Sequence, residues 1–140
     1  MLLFDANVLI ALVDPLHTEH RRVRAWFDGL SGAAWATCPI VENAMVRIMG
    51  SGAYSGPISI AKAVELLRAI RTHPSHGWVA EDVSPAEDAY FDVVRVQGHK
   101  QVTDACLLAL CRKHNLKLAT LDRKLAKTLA AGEPHLLELI

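Results

Sequence analysis

Near the start of the chain stands Leu2-Leu3-Phe4-Asp5-Ala6-Asn7-Val8-Leu9: a short apolar run, a lone carboxylate, and a second apolar run that continues to Val13. The first run reads as a buried strand, and Asp5-Ala6-Asn7 as the turn that leaves it. The second run reads as a short helix that stops near Asp14-Pro15. Burying an unpaired carboxylate is costly, so an apolar run normally avoids one. Asp5 therefore reads as an acid kept at a strand end for its chemistry. A strand passing directly into a helix is the opening of a βα unit, and the fold depends on whether that alternation repeats.

It repeats along the whole sequence. Over residues 18–30, Val23, Trp26, Phe27 and Leu30 recur at helical spacing with Arg21, Arg22 and Arg24 between them, and Gly32 closes the helix. Ala34-Trp35-Ala36-Thr37 predicts a second strand. Pro39 opens a helix with Val41, Ala44, Met45 and Ile48 as its buried stripe and Gly50 at its end. After a loop over 51–57, Ala63, Leu66, Leu67 and Ile70 mark another helix. A loop over 73–77 precedes a brief strand, Trp78-Val79-Ala80. Ser84-Pro85-Ala86-Glu87 has the form of a capping box and predicts a helix burying Ala86, Ala89, Tyr90 and Val93. Thr103 is the expected N-cap of a central, mostly apolar helix over 104–114, with Asn115 as its left-handed cap. Residues 116–121 predict a strand, 124–129 a short helix, and 136–140 an edge strand. The expectation is one domain over 1–140, a three-layer α/β/α sandwich around a mostly parallel sheet of about five short strands. Strand order stays open.

Composition narrows the function. Lys+Arg and Asp+Glu are both 15, so the formal net charge is zero. Binding nucleic acid by bulk charge would need a far more basic chain, although a local basic rim on a nuclease is compatible. The glycines form neither GxGxxG nor GxxxxGK, which argues against a kinase or an NTPase. The three cysteines are odd in number and make no CxxC, so they read as buried free thiols in a reducing cytoplasm. The start of the chain has no basic flank and no long apolar stretch, so it does not read as a signal peptide.

Four acids occupy telling positions. Asp5 follows the first strand, and Glu42 lies just inside the helix after the second. Asp104 is in the first turn of the most apolar helix, and Asp122 follows the strand over 116–121. Ligands of open α/β sheets bind at the carboxyl ends of the strands, where all four acids are expected. Carboxylates gathered without matching bases repel one another. A hard divalent cation such as Mg²⁺ or Mn²⁺ resolves that repulsion, because it prefers carboxylate oxygen and keeps several waters. Metal ions held in this way activate water and assist in-line displacement at phosphorus. Arg123, Lys124 and Lys127 would supply the basic rim. The remaining candidates read blandly: His17 with His20 and His73 with His76 as solvated or loop residues, Glu81-Asp82 and Glu87-Asp88 as a solvated face, and Trp26, Trp35 and Trp78 as core.

These residues resemble a known family. The opening stretch is similar to that of PIN-domain nucleases, a hydrophobic strand followed by Asp-x-Asn. Val41-Glu42-Asn43 resembles the family's glutamate helix, Thr103-Asp104-Ala105 its third acid, and Thr120-Leu121-Asp122 its fourth. The order holds over essentially the whole chain, as in stand-alone toxins of the VapC type. The resemblance implies an RNA-cleaving toxin dependent on Mg²⁺ or Mn²⁺. Asp5, Asp104 and Asp122 would hold metal, Glu42 would complete the catalytic acids, and Asn7 and Thr120 would be polar supports. It also implies a small antitoxin that blocks the site, and a homodimer is expected with it. Residues 50–83 carry no motif, so substrate choice is expected there.

Two readings compete. A haloacid-dehalogenase-like phosphatase also begins with an aspartate after strand one, but needs a second aspartate two residues on, where this chain has Asn7. A non-catalytic PIN-like binding module would keep the fold without needing all four acids.

Overall fold

The structure is a computed structural model that describes residues 1–140. Its elements are β1 (Leu2–Phe4), α1 (Ala6–Val13), α2 (His20–Gly29), β2 (Trp35–Thr37), α3 (Pro39–Met49), α4 (Ile60–Arg71), β3 (His76–Trp78), α5 (Val102–His114), β4 (Lys117–Thr120) and β5 (Leu137–Leu139). All five strands are parallel, in the order β3-β2-β1-β4-β5. The chain steps outward from β1 to β3, then returns across the sheet to β4 and β5. Right-handed crossovers therefore place α1 to α4 on one face and α5 on the other. This is the expected three-layer α/β/α fold.

The core follows from that layering. Leu3, Phe4, Ala36, Leu118 and Ala119 are fully buried within the sheet, because a parallel strand is covered on both sides. Phe4 stacks on Trp35 at 4.6 Å and meets Trp26 of α2 at 5.3 Å, which fixes the face on which α2 lies. On the other face α5 buries Leu107, Leu108, Ala109, Leu110 and Cys111, and it ends at Asn115 in the left-handed conformation, φ 52°. No helix is long and apolar enough to cross a membrane.

Four local expectations fail, each for a physical reason. The strand predicted at 78–80 lies two residues earlier, because the ladder rather than the apolar run sets an edge strand. The Trp35 N–H donates to Ser75 O (3.1 Å) and the Val79 N–H to Thr37 O (2.9 Å), which centres pairing on Gly77. The capping contacts at Ser84 do form, with its N–H donating to Glu87 Oε2 (2.8 Å), yet no α-helix follows. Helices in proteins depend on burying a face. Here Ala86, Ala89 and Val93 are exposed and Tyr90 is half-buried, with Phe91 the one deeply buried side chain nearby. The chain makes turns and a single 3₁₀ turn at Val93–Arg95. Thr103 is not the cap of α5: a 3₁₀ turn over His99–Gln101 winds straight into the helix, so Gln101 takes that position. The helix predicted over 124–129 is one 3₁₀ turn, Leu125–Lys127. Among the thiols, Cys38 and Cys111 are buried as expected and Cys106 is half-buried.

Candidate active site

In the strand order, β1 and β4 are neighbours although one leads outward and the other returns. They form the switch point of the sheet, the place where the loops of an open α/β sheet diverge and ligands bind in the crevice between them. Asp5 leaves β1 and Asp122 follows β4, so both stand at its mouth.

Asp5 is only 8% exposed, and its side chain makes no capping bond to α1. Its Oδ2 instead accepts from Asn7 Nδ2 and from Thr120 Oγ1, both at 2.7 Å. Thr120 Oγ1 in turn accepts from Asn7 Nδ2 (3.1 Å) and from the Asp122 N–H (3.1 Å), while Asn7 Oδ1 accepts from the Leu121 N–H (3.1 Å). Asn7 and Thr120 thus lash the end of β1 to the end of β4 and aim one carboxylate. Burial raises the Asp5 pKa, the bonds from Thr120, the Ala6 backbone and Asn7 lower it, and the Asp122 charge adds a further upward push. Asp122 also serves its own turn, with Oδ1 accepting from the Lys124 N–H at 2.8 Å.

Asp104 reaches the same crevice from the first turn of α5. Its pKa is pushed up to about 6, first by burial and then by the charges of Asp5 and Asp122. No hydrogen bond or cation offsets these causes. Asp5, Asp104 and Asp122 are therefore electrostatic neighbours, as the sequence leads one to expect, and their mutual repulsion goes unanswered within the chain.

Glu42 has partners of its own. Its Oε1 accepts from Thr37 Oγ1 (2.6 Å) and its Oε2 faces Arg71 Nη1 (3.3 Å), with the glutamate only 9% exposed. Thr37 Oγ1 also lies 2.8 Å from His76 Nε2. The threonine hydrogen is already directed at Glu42, so the ring donates through Nε2–H. Burial and the neighbouring Arg71 lower the His76 pKa, which favours the neutral ring. Glu42 is thus paired with a cation, whereas Asp5, Asp104 and Asp122 have none. Thr37 and Arg71 were not singled out from the sequence, and His76, expected there as a loop residue, lies in β3 because pairing with β2 extends the strand to it. A signal for Thr37 was present, because β2 and β4 both end on Ala-Thr and each threonine hydroxyl donates to an acid.

An oxygen-only donor set of three carboxylates without a cation fits a hard divalent ion. The side chains are not spaced for three acids to grip one ion directly. An ion such as Mg²⁺ needs only one or two carboxylates and keeps several waters. Arg123, Lys124 and Lys127 are exposed beside Asp122, as expected of a basic rim. Trp35 is buried as expected and Trp26 half-buried, but Trp78 departs from the core reading: it is 47% exposed at the end of β3.

Comparison with known proteins gives the family. The PIN domain family pattern matches residues 2–129. The chain is 41% identical over 131 residues to Ribonuclease VapC44 of Mycobacterium tuberculosis, covering 93% of this chain and 92% of that relative. Ribonuclease VapC38 of the same organism is 40% identical over 123 residues, 87% of this chain and 85% of the relative. Among solved structures, Mycobacterium tuberculosis VapC20, a Sarcin-Ricin loop cleaving toxin, aligns with a TM-score of 0.65 at 16% identity, over 86% of this chain and 88% of that one. VapBC2 from Rickettsia felis, solved bound to a promoter DNA fragment, gives 0.65 at 13% identity over 99% and 97%. Likeness at such low identity attests the fold alone. The family pattern and the relatives near 40% identity carry the assignment, and the chain belongs to the PIN-domain family.

Proposed function

We propose that the protein is a metal-dependent endoribonuclease, the toxin of a toxin–antitoxin module, acting as a single PIN-like domain over 1–140. The observation that carries this reading is the carboxylate trio at the β1–β4 switch point, where burial first and neighbouring acidic charge second raise the pKa of Asp5 and of Asp104, and no cation opposes them. The relatives named Ribonuclease VapC44 and VapC38 supply the substrate class.

Asp5, Asp104 and Asp122 would hold the cation. Bound there, Mg²⁺ or Mn²⁺ supplies an acidified water and charge neutralisation for in-line displacement at a phosphodiester. Asn7 and Thr120 favour the ionised form of the Asp5 carboxylate against its burial and aim it, with both side-chain bonds on Oδ2. Glu42 completes the catalytic acids from the α3 side. Arg123, Lys124 and Lys127 draw the RNA backbone toward the crevice by local charge.

The phosphatase alternative loses support at Asn7. Its amide is spent on Asp5 and Thr120, and no second carboxylate occupies the general-acid position. A small antitoxin is the proposed partner, and an arginine placed bidentate on Asp5 or Asp104 would block the site. A homodimer and a cytoplasmic location complete the proposal, the latter in keeping with three free thiols.

The test is cleavage of RNA by the purified protein with Mg²⁺ or Mn²⁺, its arrest by EDTA, and its suppression by co-expression with a small protein encoded next to it. Cleavage undiminished in excess chelator sinks the mechanism.

A further inference from the structure

We propose that Arg71 and Trp78 form a nucleotide-binding subsite for the RNA strand beside the acidic crevice, an inference that rests on the ribonuclease reading for its ligand. Trp78 is the last residue of β3 and so stands at the carboxyl edge of the sheet, the edge that carries Asp5 and Asp122. Only β2 separates β3 from β1, which puts the two strands about 10 Å apart. A strand with a phosphate at Asp5 reaches Trp78 within a few nucleotides.

The indole is 47% exposed, a large apolar surface left in water at the end of an edge strand. The Arg71 guanidinium carbon lies over the ring, 4.8 Å from its centroid, a cation on the aromatic face. Arg71 spends little of its hydrogen-bonding capacity within the protein. One nitrogen faces Glu42 Oε2 at 3.3 Å, the side chain is 44% exposed, and a guanidinium carries five donors. Aromatic face and unspent planar cation together match an unstacked base with its adjoining phosphate, the combination by which proteins hold single-stranded nucleic acid. This places a substrate contact in the 50–83 segment, where no motif marked one.

The test is the binding of a fluorescein-labelled single-stranded RNA of about ten nucleotides, in EDTA so that the strand stays intact, across a series of salt concentrations. Parent, Trp78→Phe, Trp78→Leu and Arg71→Gln are compared, with melting temperatures confirming that each is folded. Loss of one stacked base weakens binding by roughly 5- to 150-fold, so Trp78→Leu falls in that range while Trp78→Phe stays within about threefold of the parent. Neither changes the salt dependence. Arg71→Gln weakens binding and lowers the slope of log affinity against log salt by about 0.7, one phosphate on a single strand.

Equal affinity of parent and Trp78→Leu, or an unchanged slope in Arg71→Gln, overturns the subsite, as does a parent that binds no RNA. An acidic peptide that loses affinity in both variants while RNA does not would assign the pair to a protein partner and overturn it as well. Cleavage by the parent with Mg²⁺ or Mn²⁺ is scored separately. A protein that binds RNA through this pair yet cuts none refutes the ribonuclease reading alone, and one that cuts RNA but binds it equally with Leu at position 78 refutes the subsite alone.

Discussion

Replacing Asp104 by Asn removes one charge from the crevice and nearly preserves shape, so it separates a site acid from a structural one. The Asp104 pKa is about 6 in the folded chain against an ordinary 3.8. At about 1.4 kcal/mol per unit, that difference means up to about 3 kcal/mol of native-state destabilisation once the group is ionised. Partial exposure screens it to about 1–2 kcal/mol. A carboxylate in the first turn of α5 also gains about 0.5 kcal/mol from the helix dipole, which the variant forfeits. The net expectation is a variant more stable than the parent by about 1 kcal/mol in EDTA at neutral pH, roughly 3 °C in Tm for a chain of this size.

The sign fixes the pH window. A folded pKa above the unfolded one means that the native state holds the proton longer, so the parent loses stability as pH rises from about 4 to above 6. The gain in Asp104→Asn is therefore absent near pH 4 and complete by pH 7. Divalent cation should reverse the ranking. At 100 times its Kd a ligand stabilises the parent by about 2.7 kcal/mol, and the variant should lose most of that along with RNA cleavage. The assay is thermal melting of parent and variant at pH 4 and pH 7, each in EDTA and in Mn²⁺. A variant that melts lower than the parent in EDTA at pH 7, with its response to Mn²⁺ intact, refutes the reasoning and returns Asp104 to a structural role.

Other outcomes follow from named contacts. Thr120→Val removes a donor from Asp5 Oδ2 at a fully buried position, and should cost about 1–2 kcal/mol in urea denaturation and reduce RNA cleavage about tenfold. Arg112 grips Glu133 through both carboxylate oxygens (3.1 and 2.7 Å), and its bonds hold the Glu133 carboxyl below the ordinary glutamate pKa of 4.5. Glu133→Gln should therefore lose about 1 kcal/mol above pH 5, with the difference fading as pH falls below 4.5, as read from melts across pH. Asn115 sits at φ 52°, so Asn115→Ala should cost about 1 kcal/mol while Asn115→Gly stays within about 0.5 kcal/mol of the parent in the same melts.

What the amino-acid sequence determined by itself was local. An apolar run ending on an acid marked β1 and Asp5, Asn115 marked the end of α5, and the run over 116–121 leading into an acid marked β4 and Asp122. Each signal lies within a few residues of what it specifies, so backbone preference and burial suffice to read it. The capping box at Ser84 was equally local and misled, because a cap starts a turn but only a buried face extends it into a helix. The edge strand at His76–Trp78 slipped from its apolar run because pairing with β2 set its register. The tertiary structure alone decided that β4 lies beside β1, which turns Asp5 and Asp122 into neighbours 117 residues apart in sequence and brings Asp104 to them from the opposite layer. It also decided that Glu42 faces Thr37 and Arg71. Strand order and the face on which a helix packs depend on contacts between distant segments, whose free energy is summed over the whole core and written in no single stretch of the chain.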